Sequence, residues 1–437
     1  MPRRFHGPVS ADWADRTEGV AEPASEQLAA LDAYLFPGDL DEKTREGVRT
    51  DGVIIVRDGT ILYERYGRDW TGDKPHLLWS ASKSFSTTLI GIAVHQGRLD
   101  LTDSICDHIE VGDPASCAIR VQDLMDFSSG LAWRETYENE SPTASSVLAM
   151  LFGQGSRDMS RFVTGHPLRD PPGSTYQYSS GDTNVLTDVA RAALEEVHGE
   201  RYPWTTLFEP LGITSAVWER DGSGLPIGSS YLYLTPRDMA RYGAFMLDDG
   251  CWGGERLLPA GWWARAARVN DAIAWKAYER GEGDVPGWGL WLNQPVPALD
   301  EASPWPAAPT DVYCALGHWR QAICALPSRD LIVVRVGDRG ARSARLRHPR
   351  RRVPSCSQRP AGRVAARQVR PWPPEARRLL RLKGDVQLRV RKRPRRAGVQ
   401  GLHQGQPQRG QGEGRPGGED RSRPGAGHGE DRGTLAR

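Results

Sequence analysis

The sequence predicts an α/β (α+β) fold, an antiparallel sheet flanked by helices and interrupted by a mostly helical inserted domain. Three observations predict it. Two β-rich runs near the start, residues 52–57 and 60–66, are joined by Asp58-Gly59, a strong hairpin signal. Two more, residues 321–326 and 331–336, are joined by Pro327-Ser328-Arg329-Asp330. Most of the chain between them carries helical periodicity. Strands at both ends with helices between them predict one sheet built from both parts of the chain.

Taken in order, residues 1–23 are polar and read as a flexible N-terminus. Residues 24–36 place apolar side chains at helical spacing and stop at Pro37-Gly38. The first hairpin follows, then an apolar run from Leu77 that ends near Gln96-Gly97. Helical patterns recur over 182–197, 236–248 and 261–269, and Trp288-Gly289-Leu290-Trp291-Leu292 returns to a strand pattern. The expected organisation is a sheet domain of residues 24–100 and 275–340, a helical domain of 101–274, and a tail of 341–437.

Charge divides the chain at the same place. The net charge of +2 hides a tail near +19, with 24 Arg and 2 Lys against 7 acids, and a body near −17. The tail has no Phe, Tyr, Ile or Met and only one Trp, Trp372, so it cannot bury enough to fold alone. Disorder and a shifted reading frame both account for such Arg/Pro/Gly text. Nucleic-acid binding is the lesser alternative, because the aromatic interleaving of single-strand binders is missing. No run approaches the roughly 20 apolar residues of a membrane span, and no secretory signal is visible, so the expected location is the cytoplasm. The six cysteines, at 106, 117, 251, 314, 324 and 356, show no C-x-x-C pairs and read as free thiols, with no metal site and no cofactor expected.

Chemistry concentrates at Trp79-Ser80-Ala81-Ser82-Lys83. Three-residue spacing puts Ser80 and Lys83 on one helix face, one turn apart. Only six of the 57 basic residues are Lys, and this one heads an apolar helix, with no other Lys following a Ser at that spacing. Burial can make a lysine neutral, whereas arginine stays charged, and a neutral lysine can activate a serine hydroxyl. A capping serine followed by a snorkelling lysine is the competing reading. Tyr178, set before a helix by the turn Pro171-Pro172-Gly173, is the candidate proton relay.

These stretches, with Asp123–Trp133, Tyr178-Ser179-Ser180-Gly181-Asp182, Glu209-Pro210-Leu211-Gly212, Thr235–Gly243 and Gly317-His318-Trp319-Arg320-Gln321, resemble the serine β-lactamase and penicillin-binding protein superfamily. The likeness is greatest to the class C-related serine hydrolases that include 6-aminohexanoate-dimer hydrolase and related esterases. It covers about residues 25–340. The resemblance implies a β-lactamase/transpeptidase-like fold and a small ester or amide substrate cleaved through an acyl-enzyme. Ser80 would be the nucleophile, Lys83 its base and Tyr178 the relay. The N–H groups of Ser80 and Gln321 would form the oxyanion hole, and Ser180, Gly317, His318 and Arg320 would line the substrate wall. β-Lactam or D-Ala-D-Ala peptide cleavage, and a non-catalytic peptide or cell-wall-fragment binder, are the alternatives. Three departures stand out. Ser180 replaces a common Asn, Arg320 replaces a Gly, and no apolar terminal helix follows the last strand.

Overall fold

The computed structural model describes residues 25–38, 47–137, 144–270, 273 and 285–338. The expectations about the N-terminal residues and the tail, including its nucleic-acid reading and the missing terminal helix, lie outside these residues.

Helix α1 (Ser25–Leu35) precedes strands β1 (Thr50–Arg57) and β2 (Thr60–Tyr66). Asp58 and Gly59 both have positive φ, 48° and 74°, as a tight two-residue hairpin turn requires. Strand β3 (His76–Leu77) leads through a short turn into helix α2 (Ser82–His95). Residues 82–93 of α2 are all buried. Apolar side chains fill most of that space, and the hydroxyls of Ser84, Thr87 and Thr88 bond back to carbonyls three or four residues earlier. A sequence rich in Ser and Thr can therefore still make a buried helix.

The middle of the chain supplies α3 (Val121–Met125), α4 (Ser146–Phe152), α5 (Met159–Thr164) and the long α6 (Ser180–His198). Strands β4 (Val217–Trp218) and β5 (Leu232–Leu234) join β3 in a small sheet of order β3-β5-β4. Helix α7 (Pro236–Leu247) comes from within 101–274 yet packs on the main sheet against β1 and its late neighbours. Thr235 caps it, and Asp238 holds the backbone N–H groups of Thr214 and Ser215, a structural task. After a small hairpin of β6 (Cys251–Trp252) and β7 (Glu255–Arg256) comes α8 (Trp262–Ala266), whose Trp262 and Trp263 are buried.

The remaining strands are β8 (Pro286–Gly287), β9 (Leu290–Leu292), β10 (Tyr313–Gly317), β11 (Gln321–Leu326) and β12 (Leu331–Gly337). The main sheet has seven strands in the order β2-β1-β12-β11-β10-β9-β8. Its pairs are antiparallel, and β1 lies directly beside β12. Mixed helix and antiparallel sheet, built from early and late segments, is the class the sequence predicts.

The cysteines differ from expectation. Cys106 pairs with Cys117, and Cys314 with Cys324, while Cys251 is free. Cys356 lies outside the described residues. Cys314 and Cys324 are register partners across β10 and β11, a juxtaposition that appears only once the strands are aligned.

Candidate active site

Ser80 sits in a single 3-10 turn, Trp79–Ala81, just ahead of α2 rather than inside it. The preceding chain is fixed by the β3–β5 pairing and by the Leu78 N–H, which bonds the Leu232 carbonyl at 2.9 Å. Lys83, one turn on, is 1 % exposed. Its Nζ lies 3.2 Å from Ser80 Oγ, 2.9 Å from Ser180 Oγ and 3.0 Å from the Ser229 carbonyl oxygen. Burial pushes the Lys83 ammonium down to about 8, against the opposing pull of the Glu135 carboxylate. A lysine held this way is neutral in roughly a tenth of molecules at pH 7 and in most above pH 8, which Arg would not be.

Tyr178 reaches the same point from the other side. Ser179 caps α6 by accepting the Asp182 N–H at 2.9 Å, and this fixes the residues on either side of it. The Tyr178 ring lies between Phe127 and Trp291, with centroids 5.2 and 5.5 Å away, and its own centroid is 5.0 Å from Lys83 Nζ. Ser180 is fully buried and touches Lys83, so it lies behind the lysine rather than on the cavity wall.

These groups face a cavity of about 980 Å³, lined in part by Trp79, Ser80, Trp133, Tyr178, Trp291 and His318. Gly317 and His318 are on its wall. Gln321 and Arg320 are not among its lining residues. Gln321 is 1 % exposed, and its side-chain amide bonds the backbone of Gly337 on β12. Its N–H is committed as well. The Cα atoms of Cys314 and Cys324 are 4.1 Å apart, the mark of a non-hydrogen-bonded pair, so the ladder's alternation makes Gly317 and Gln321 a bonded pair. Arg320 is exposed in the turn at φ 65°, and its carbonyl accepts from Arg335. It is not on the cavity wall.

The structure adds a residue that spacing could not reveal. Glu135 lines the cavity, and its Oε1 accepts the Ser180 hydroxyl at 2.5 Å. Its Oε2 accepts the Ser180 N–H at 2.9 Å and the Trp133 indole N–H at 2.6 Å. Tyr137 also donates to Glu135. Glu135 falls two residues past the stretch that ends at Trp133, and only folding brings it to Lys83. Asp182, fully buried beside these groups, has its carboxyl pushed up to about 7 by burial. Among the described residues no cluster of His, Cys, Asp or Glu is placed to hold a metal ion, and no helix is long and apolar enough to cross a membrane.

Residues 31–353 match the Beta-lactamase family. The 6-aminohexanoate-dimer hydrolase of Paenarthrobacter ureafaciens is 30% identical over 261 residues, 55% of this chain and 63% of that protein. The chain thus spans under two thirds of that relative's length. Among solved structures, a Bacillus anthracis protein described as a 6-aminohexanoate-dimer hydrolase superposes with TM-score 0.55 at 21% identity, over 74% of this chain and 78% of the other. EstCE1, a hydrolase with promiscuous acyltransferase activity, gives TM-score 0.51 at 17% identity, over 67% and 90%. At those identities the two structures share the fold. By its family match over residues 31–353, the chain belongs to the Beta-lactamase family.

Proposed function

We propose that the protein is a serine hydrolase that cleaves a small ester or amide through an acyl-enzyme on Ser80. The observation that carries this reading is the buried Lys83 ammonium, lowered to about 8, 3.2 Å from Ser80 Oγ at the wall of a large cavity. Neutral Lys83 takes the Ser80 proton as Oγ bonds the substrate carbonyl carbon. Tyr178 then passes a proton to the departing alcohol or amine, and water repeats the sequence to release the acid. The negative oxygen of the intermediate is held by the Ser80 N–H and by the His318 N–H, just past the end of β10, where the chain borders the cavity. That backbone replaces Gln321 in the expected oxyanion hole.

The relationship to a 6-aminohexanoate-dimer hydrolase and the aromatic walls at Trp79, Trp133 and Trp291 support a small apolar ester or amide. Ser180 in place of the Asn common in β-lactamases weighs against lactams. The buried lysine beside Ser80 favours the catalytic reading over a purely binding one. The cytoplasmic location is less well supported than the sequence suggests, because two disulfides favour an oxidising compartment.

The test is intact mass after treatment with a serine-reactive fluorophosphonate. One adduct on the wild type and none on Ser80→Ala supports the reading. An adduct on both, or on neither folded protein, overturns it.

A further inference from the structure

Lys83 has three polar neighbours, and their donor and acceptor identities are not free. The Ser229 carbonyl oxygen, 3.0 Å away, can only accept. Ser180 has one proton. Its Oγ lies 2.5 Å from Glu135 Oε1, and an ionised carboxylate has no proton to offer in return. Tyr137 does not alter this. Its hydroxyl lies 3.1 Å from Ser180 Oγ and donates to the same Glu135 oxygen, so by either route the Ser180 proton runs toward the carboxylate. Ser180 Oγ must therefore accept from Lys83. A neutral lysine has two N–H bonds and one lone pair. With the N–H bonds directed at Ser180 and Ser229, the lone pair is left for Ser80.

We propose that Glu135 is a positioning residue which, through Ser180, sets the direction of this hydrogen-bond chain and so aims the lone pair of neutral Lys83 at the Ser80 hydroxyl. The proposal rests on the reading of Ser80 as nucleophile and Lys83 as its base. Glu135 touches neither of the reacting atoms in that scheme.

Glu135→Gln is the informative change, because it keeps shape and removes charge. The Ser180 and Trp133 N–H groups both donate to the Oε2 position, so the amide oxygen must stand there. The amide NH₂ then points at Ser180 Oγ and frees the Ser180 proton to turn toward Lys83. The chain is reversed, and the lysine lone pair is engaged by the wrong hydroxyl. Glu135→Asp keeps a carboxylate and recovers part of the function.

The ionisable groups around Lys83 are Glu135, Tyr137, Tyr178 and the buried Asp182, which is itself coupled to Glu135. Of these, Glu135 is the one that holds the lysine proton on. Its loss moves the acid limb of the reaction to lower pH.

The experiment is the rate of fluorophosphonate labelling against pH for wild type, E135Q, E135D and S180A, each with a melting curve. E135Q is expected to melt close to wild type and to label roughly tenfold more slowly, the size of one misdirected hydrogen bond. Its acid limb should nonetheless move to lower pH. A slower reaction with an easier deprotonation is not what loosened packing produces. S180A should slow similarly, and E135D should label faster than E135Q. Labelling of E135Q at the wild-type rate, or a slowed E135Q with an unmoved limb, overturns the proposal alone. A wild type that takes no label overturns the acyl-enzyme reading and this proposal with it.

Discussion

Gly317 runs against the carbonyl of Leu78, so that a Cβ at position 317 would stand 2.0 Å from that oxygen. The end of β10 and the turn that carries Ser80 are therefore in backbone contact, with no room for a side chain. Gly317→Ala must push the strand away from the turn, since a carbonyl cannot rotate aside as a flexible side chain can. The expected result is a loss of about 1–3 kcal/mol in stability and a drop of at least roughly tenfold in Ser80 labelling. Melting curves and labelling rates check both.

The pH dependence of activity should follow Lys83. Below about 8 the residue is an ammonium with no lone pair, and above it the amine can accept the Ser80 proton. A plot of kcat/KM against pH should rise through that value and lose the limb in Lys83→Ala, together with nearly all turnover. The same shift has a sign for stability. The folded-state value lies below the ordinary 10.5, so between about 8 and 10.5 the unfolded chain binds the additional proton. Over that window the contribution of Lys83 to stability rises with pH, and it is lost as pH falls through 8. Denaturant titrations of wild type and Lys83→Met across the window measure it.

Arg320 and Gln321, adjacent in sequence, should respond in opposite ways. Arg320 holds a positive φ that an L residue adopts at a cost and lies outside the cavity, so Arg320→Gly should stabilise by about 0.4–1 kcal/mol and leave kcat/KM within roughly twofold. Gln321→Ala removes both side-chain bonds to Gly337 from a buried site and should destabilise by about 1–3 kcal/mol. Chemical denaturation of the two variants separates them.

The two disulfides close loops of similar length, with sequence separations of 11 and 10. Chain-entropy arguments give each about 3 kcal/mol. Without reductant, a thiol reagent should modify Cys251 and spare Cys106, Cys117, Cys314 and Cys324, and reductant should lower the melting temperature. Peptide mapping after alkylation reads the pairing directly.

What the sequence discloses and what it hides divide along physical lines. The hairpin at Asp58-Gly59, the helix after Ser80 and the helix after Tyr178 are local, set by turn chemistry, periodicity and caps within a few residues. Their positions can be read from the chain. The pairing of Ser80 with Lys83 is equally local, because helical spacing alone brings them together. Glu135 and the Ser229 carbonyl reach Lys83 from separate loops, and no spacing rule connects residues 83, 135 and 229. The assignment of Gln321 to the oxyanion hole failed on register. The hairpin turn at His318–Arg320 takes up three residues, so the residue that continues the strand is not the one that borders the cavity. The Cys314–Cys324 pair was hidden for the same reason, since the two meet only through the β10–β11 ladder.

The order of strands in the main sheet has a consequence for synthesis. Strand β1 is hydrogen-bonded to β12, with Val53 opposite Arg335 and Val56 opposite Ile332. During translation β1 and its hairpin leave the ribosome long before the partner that completes them exists. Until β12 emerges, the Val53, Ile54, Ile55 and Val56 segment has an open edge on one side. The nascent chain carries that open edge over the whole interval, and a stop codon ahead of residue 331 would release a product whose first strand is paired on the β2 side alone.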